Sequence, residues 1–169
     1  MAAQGFLDRV SGKFKRIIAS VTGTADAIPA GDATGRLDIS WMPVGVGAEV
    51  IICASFEDLT AGNFINLFLS GGVIKARKAD ATTAGKPAHG FVLANVTAPA
   101  NATVYGLSNT NTALSGLTIG TDYYLSTTPG ATTATAPTGA GNLSQYLGIA
   151  SLTTEIVFTG SPASAVEMA

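Results

Sequence analysis

Asn63-Phe64-Ile65-Asn66-Leu67-Phe68-Leu69-Ser70-Gly71-Gly72-Val73-Ile74-Lys75-Ala76-Arg77-Lys78 reads as a β-hairpin. Two adjacent glycines can take the positive φ values that a tight connection between antiparallel strands demands. On the second strand Val73, Lys75 and Arg77 alternate with Ile74, Ala76 and Lys78, so one face of the sheet carries charge. Working outward, short apolar runs recur with turn residues between them: 49–55, 64–69, 73–78, 91–96, 103–107, 122–126, 144–150 and 155–159. Short strands at this spacing predict an all-β domain, a sandwich or a barrel. The stretch 127–142, rich in Thr, Ala, Gly and Pro, reads as a long exposed loop or a loosely paired edge strand.

Upstream of this domain the pattern changes. Over residues 4–21, Phe6, Val10, Phe14, Ile17 and Val21 recur at helical spacing, with Arg9, Lys13 and Arg16 on a neighbouring stripe. The spacing predicts a short amphipathic helix that lays its apolar face on another protein, its cations meeting an acidic surface. A membrane-surface helix and a helix packed on its own domain are the alternatives. Gly5 and Gly12 weaken it in isolation, so docking has to stabilise it. Residues 22–47 hold small residues, Gly and Pro without either periodicity, and read as an extended arm with turns at Gly31 and Gly35. Leu37, Ile39 and Trp41 alternate on one face of a short extended segment, followed by Met42 and closed by Pro43. The predicted organisation is mainly β: residues 1–48 as helix and arm, and residues 49–169 as a single β-sandwich or barrel-like domain.

Composition bounds the function. The chain has 169 residues, of which 47% are hydrophobic and only 12% charged. A surface so poor in charge holds copies apart weakly, because few ions need desolvation before two molecules touch. All nine Lys and Arg lie at or before Lys86, and residues 91–169 carry only Asp122, Glu155 and Glu167 as charges. Such a half cannot neutralise phosphates, which argues against a nucleic-acid partner. No apolar run approaches the roughly 18 residues of a membrane span, and the N-terminus lacks a signal-peptide pattern, so synthesis in the cytoplasm is the expectation.

Candidates for chemistry are sparse. Cys53 is the single cysteine and lies in the apolar run Val50-Ile51-Ile52-Cys53-Ala54, where a buried structural thiol is the simpler reading. His89 is the one histidine; no Ser sits in a nucleophile elbow that would recruit it, and a hydrogen-bonded histidine at the start of a strand is expected. One His and one Cys do not make a zinc set. Glu57-Asp58, the one adjacent acidic pair, falls in a predicted turn, and neither a glycosidase pair nor a calcium loop follows from it. Gly45-Val46-Gly47-Ala48-Glu49-Val50 fits no phosphate loop. No catalytic residue, metal or cofactor is assigned, and the expectation is a protein that is not an enzyme, a glycan-acting enzyme being the remote alternative.

The segment Thr24-Ala25-Asp26-Ala27-Ile28-Pro29-Ala30-Gly31-Asp32-Ala33-Thr34-Gly35-Arg36-Leu37-Asp38-Ile39-Ser40-Trp41-Met42-Pro43 resembles a linker of phage tail fibres and capsid-decorating proteins, although the Gly-Lys of that linker is absent and Ile28-Pro29 stands nearby. The likeness continues through Ala61-Gly62-Asn63-Phe64-Ile65-Asn66, Ala88-His89-Gly90-Phe91-Val92, Thr121-Asp122-Tyr123-Tyr124-Leu125-Ser126 and Gln145-Tyr146-Leu147-Gly148-Ile149-Ala150. This resemblance implies a virion protein of a tailed bacteriophage with a homotrimeric β domain and no catalytic residues. Short length then favours a decoration, or cement, protein on the outer capsid surface, where the partner is the major capsid protein at capsomer junctions. A short tail fibre or tail tip protein contacting the host surface is the alternative. On this reading Phe6, Arg9, Val10, Lys13, Phe14, Arg16, Ile17, Leu37, Ile39, Trp41 and Met42 are the candidate capsid-binding residues.

Overall fold

The computed structural model describes residues 5–10, 13–23, 27–33, 35, 37, 41 and 49–169. The chain divides into two compact units, Met1–Gly47 and Ala48–Ala169. In the first, strands β1 (Gly5–Val10) and β2 (Lys13–Ser20) pair antiparallel, and β3 (Ile28–Pro29) adds in parallel to the end of β2. This corrects the helix expected over residues 4–21. Two glycines in that stretch each disfavour a helix by about 1 kcal/mol, and an unsupported helix of this length is marginal in water. The stretch pairs with itself as an antiparallel hairpin instead. A turn closes at Gly35, whose N–H donates to the Asp32 carbonyl at 3.0 Å with φ 79°.

The second unit is built on a closed barrel. Its strands are β4 (Val50–Ser55), β5 (Phe64–Ser70), β6 (Val73–Lys78), β7 (Gly90–Phe91) and β8 (Asn101–Tyr105), in the closed order β4-β6-β5-β7-β8. The hairpin β5–β6 has the predicted register, Leu69 opposite Ile74 and Ser70 opposite Val73, with Gly71 and Gly72 at φ 63° and 80°. Positive φ at both central residues is the type I′ geometry whose twist matches the flanking strands. Closure comes from β4, which pairs parallel with β6 and antiparallel with β8. Gly90 opens β7 because a side chain there would run into the Tyr105 carbonyl oxygen of β8.

Downstream lies a five-stranded sheet. It contains β9 (Thr110–Asn111), β10 (Asp122–Leu125), β11 (Thr132–Thr133), β13 (Tyr146–Leu152) and β14 (Glu155–Phe158), in the order β11-β10-β13-β14-β9. A small ribbon joins β12 (Leu143–Ser144) to β15 (Val166–Glu167). The Thr-rich stretch 127–142 is therefore tied at its edge: Thr132 and Thr133 pair with Leu125 and Tyr124, and Gly130 and Pro137 are buried. The run 91–96 pairs as a strand only at Gly90–Phe91. Beyond it the Val92 N–H donates to the Asn63 carbonyl and the chain returns to pair Val96 with Leu59.

Strand alternation splits the core in two. Leu59, Ile65, Ala76, Val92, Ala102 and Val104 fill the barrel, with Cys53 packed against them. Phe64, Phe91, Leu125, Leu147 and Phe158 fill the space between barrel and sheet, the three phenylalanine rings lying 5.7–6.2 Å apart at tilted and edge-on angles. Buried Gln145 bolts the halves together: its Oε1 accepts from the Ala88 N–H at 2.7 Å and its Nε2 donates to the Ala88 carbonyl at 2.9 Å. The amide thus imitates a neighbouring strand for Ala88. Gln145→Leu leaves both buried backbone groups unpaired and is expected to cost about 2–4 kcal/mol. Urea unfolding checks this, with a lowered midpoint at unchanged slope.

Candidate functional site

At one end of the barrel the starts of β4, β6 and β7 meet the ends of β5 and β8. This mouth holds an apolar cavity of ≈ 200 Å³ between Ile51, Leu67, Val104, Leu107 and Pro162, with His89 and Glu49 as its polar walls. A second depression beside it lies among Leu67, Phe68, Leu69 and Ile74. The rim is apolar yet open to solvent, with Leu69 72% and Ile74 53% exposed. Rims of this kind usually belong to binding surfaces rather than to free monomers.

His89 precedes β7, its backbone N–H donating to the Ile65 carbonyl at 2.7 Å. Its ring Nδ1 accepts the Leu67 N–H at 3.2 Å, with the Asn66 amide nitrogen 3.3 Å away. The ring therefore supplies an acceptor to β5 beyond the point where its pairing with β7 ends, the bonded structural role read from sequence. Burial holds His89 below the ordinary imidazole range, opposed by a hydrogen bond to the Pro87 carbonyl. Protonation at Nδ1 would remove the acceptor that Leu67 uses.

The remaining candidates for chemistry are also engaged. Glu57 Oε1 accepts the Lys78 N–H and Asp58 Oδ1 accepts the Ala98 N–H, both at 2.9 Å, so each member of the acidic pair holds a turn of backbone. Cys53 is half-buried, and desolvation pushes its thiol up, away from the reactive thiolate. Among the described residues no three His, Cys, Asp or Glu side chains gather in a set that could hold a metal ion. Among the same residues no helix is long and apolar enough to cross a membrane.

Two flanks carry the other exposed features. On the barrel wall, Phe56 meets the Phe68 ring edge-on at 5.3 Å, and the Arg77 guanidinium lies 4.1 Å over the same ring. Arg77 is held there by Nε donating to Asn66 Oδ1 at 2.9 Å. On the outer face of the five-stranded sheet, Tyr124 and Tyr146 lie edge-on at 5.8 Å and the Tyr146 hydroxyl donates to Asp122 at 3.3 Å. Burial and the adjoining carboxylate push the Tyr146 hydroxyl up.

Of the residues singled out for capsid binding, Phe6, Arg9 and Val10 lie on β1 and Lys13, Phe14, Arg16 and Ile17 on β2. The register sets Phe6 opposite Ile17, Arg9 opposite Phe14 and Val10 opposite Lys13, so the pairing mixes apolar and basic residues that a helix would have kept on two separate stripes. Leu37 is 49% exposed. The Trp41 indole Nε1 donates to the Val21 carbonyl at 3.1 Å, within the same unit. Ile39 and Met42 lie outside the described residues. The sequence reading missed the barrel mouth and both flanks, because they join residues distant along the chain. The alternation of Val73, Lys75 and Arg77 on one charged face was its one signal of them.

No family model matches the chain, and no curated protein matches it.

The His89 geometry fixes a pH dependence. Its folded value lies below 6.5, so between the two values the unfolded chain binds more protons than the folded one. Its contribution to stability is complete above the unfolded value and is lost as pH falls through the folded one. His89→Gln should flatten the fall in urea midpoint between about pH 7.5 and about pH 5 relative to the parent chain. A parallel fall in both proteins would show that carboxylates alone set it.

Proposed function

We propose that this chain is a structural protein of a tailed bacteriophage particle, a decoration protein that binds the major capsid protein shell from outside at capsomer junctions and stabilises it as a homotrimer. The observation that carries this reading is the uncovered apolar surface of the barrel: Ile52, Phe56, Leu69, Val73 and Ile74 are all more than half exposed in a unit whose barrel is closed. A domain with a filled core does not need those side chains outside; a domain that gains area on assembly does. Two further features support it. The linker resemblance spans residues 24–43, and the polar groups that could carry chemistry in the second unit hold backbone instead. Binding the assembled shell but not its free subunits would stabilise the shell by mass action, since buried area at a seam exists only after assembly.

The first unit is assigned the anchoring role, with Arg9 on β1 and Lys13 and Arg16 on β2 as the cations for an acidic shell surface. A chain lacking residues 1–21 is expected to lose binding to emptied shells in a sedimentation assay while keeping the oligomeric mass of the full chain. Retained shell binding would overturn the anchor. Densitometry of purified particles separates shell from tail: copies in the hundreds match a decoration protein, and a few to tens per particle would make the chain a tail component instead.

A further inference from the structure

The second unit separates its charges. Every Lys and Arg of residues 48–169 lies between Lys75 and Lys86, and the outer face of the five-stranded sheet is served only by acids. On the barrel flank, outward alternation along β4, β5 and β6 puts Ile52, Phe56, Phe68 and Val73 beside Lys75 and Arg77. Phe68 is the cross-strand partner of Lys75, and Ala54 pairs with Lys75 from the other side. Ile52 is 66% and Phe56 58% exposed, and the Arg77 guanidinium is already fixed over the Phe68 ring. A rigid aromatic with a stacked Arg is the composition of an interface anchor, because little side-chain freedom is left to lose on binding. Glu57, beside Phe56, accepts the Lys78 amide through Oε1 and keeps its charge, so Lys75 and Arg77 outnumber it on this side.

The sheet face is the complement. Tyr123, Leu125, Ile156 and Phe158 point into the core, so Asp122, Tyr124, Glu155 and Val157 point out. Asp122 pairs with Ile149, and Ile149 with Val157, forming one row; Tyr124 and Tyr146 form the next. This face is half apolar and acidic, through Asp122 and Glu155.

From these two faces we infer that copies of this chain associate head to tail, the Lys75/Arg77 flank of one barrel seated on the Asp122/Glu155 sheet face of the next. Charge decides the partner and the orientation. Flank against flank would oppose cations, and sheet against sheet would oppose carboxylates, so a contact of either face with itself is disfavoured. Between second units, whose only cations lie in and just after β6, the acidic sheet face can be answered only from that side; the other five cations lie in the first unit, which is assigned to the shell. Such a heterologous contact closes into a ring when its rotation permits, and three copies is the closure the proposed function requires. The inference deepens that reading and rests on it for the number of copies.

The test uses the full chain and sedimentation equilibrium at low and high salt. Lys75→Glu, and separately Asp122→Lys with Glu155→Lys, are each expected to weaken association at least about tenfold, and salt should weaken the parent association. The decisive variant combines all three changes. Lys75→Glu should then strengthen association relative to the Asp122→Lys/Glu155→Lys chain, because the flank no longer repels the new cations. Urea midpoints of all variants establish that each is folded. Unchanged mass in the variants, or no recovery in the combined chain, overturns the head-to-tail contact and leaves the shell-binding reading intact. A parent chain that is monomeric at every concentration yet sediments with shells overturns it too. Parent oligomers that respond to the charges but do not bind shells would overturn the shell reading alone.

Discussion

Strand β5 belongs to two cores at once, and the rest of the second unit depends on that constraint. Ile65 points into the barrel while its neighbour Phe64 points out, into the layer shared with Phe91 and Phe158. Period-two alternation makes this an all-or-none arrangement: a one-residue slip would exchange both sets and empty both cores. Turn chemistry at Gly71-Gly72 holds the register from one end. Backbone pairing holds it from the other, where the Phe64 N–H donates to the Gly130 carbonyl and the Ala79 N–H to the Phe64 carbonyl, both at 2.9 Å. Buried phenylalanine is worth roughly 1.5–3 kcal/mol each, so the shared layer supplies a large share of what a domain has to spare.

Polar groups then serve the register rather than competing with it. Asn66, the next residue along the outward side of β5, is buried, donates to the Pro87 carbonyl at 2.8 Å and accepts from Arg77. His89 completes the same strand by accepting the Leu67 N–H, and Gln145 completes Ala88. Each of these side chains takes up a backbone group that the strand ladders leave over, at Pro87, Leu67 and Ala88. Among the described residues, no buried side-chain nitrogen or oxygen lacks a partner. Leaving any of the three partners out would strand backbone in a low-dielectric setting, the costliest outcome for a polar group.

Legibility in the sequence followed locality. The hairpin of β5 and β6 was readable because a period-two pattern and two adjacent glycines say the same thing within sixteen residues, Asn63 to Lys78. Strands β4, β10, β13 and β14 were readable as apolar runs between turns. Two-residue strands such as Thr110–Asn111 and Thr132–Thr133 were not, since they exist only through their partners. The N-terminal stretch was misread because Phe6, Val10, Phe14 and Ile17 satisfy a helical period, while strand pairing is decided by a partner segment that periodicity does not report. Closure of the barrel through the parallel pair of β4 and β6 had no local signature at all. The candidate surfaces inherit that limit: Lys75 and Arg77 showed their common face in the sequence, but Phe56 reaches Phe68 only after the barrel closes.

Closure also determines what kind of recognition the barrel can offer. A closed barrel has no free strand edge, so its wall cannot recruit a partner through backbone pairing. Association through the barrel wall has to be written in side chains, and in this chain those are apolar groups with a few charges of one sign on each face. Apolar area gives adhesion without direction, whereas the sparse charges penalise wrong orientations more than they reward the right one. A chain with 12% charged residues keeps little repulsion in reserve, so where its cations stand matters more than how many there are. Confining every cation of the second unit to β6 and the loop after it gives a nearly neutral surface a direction.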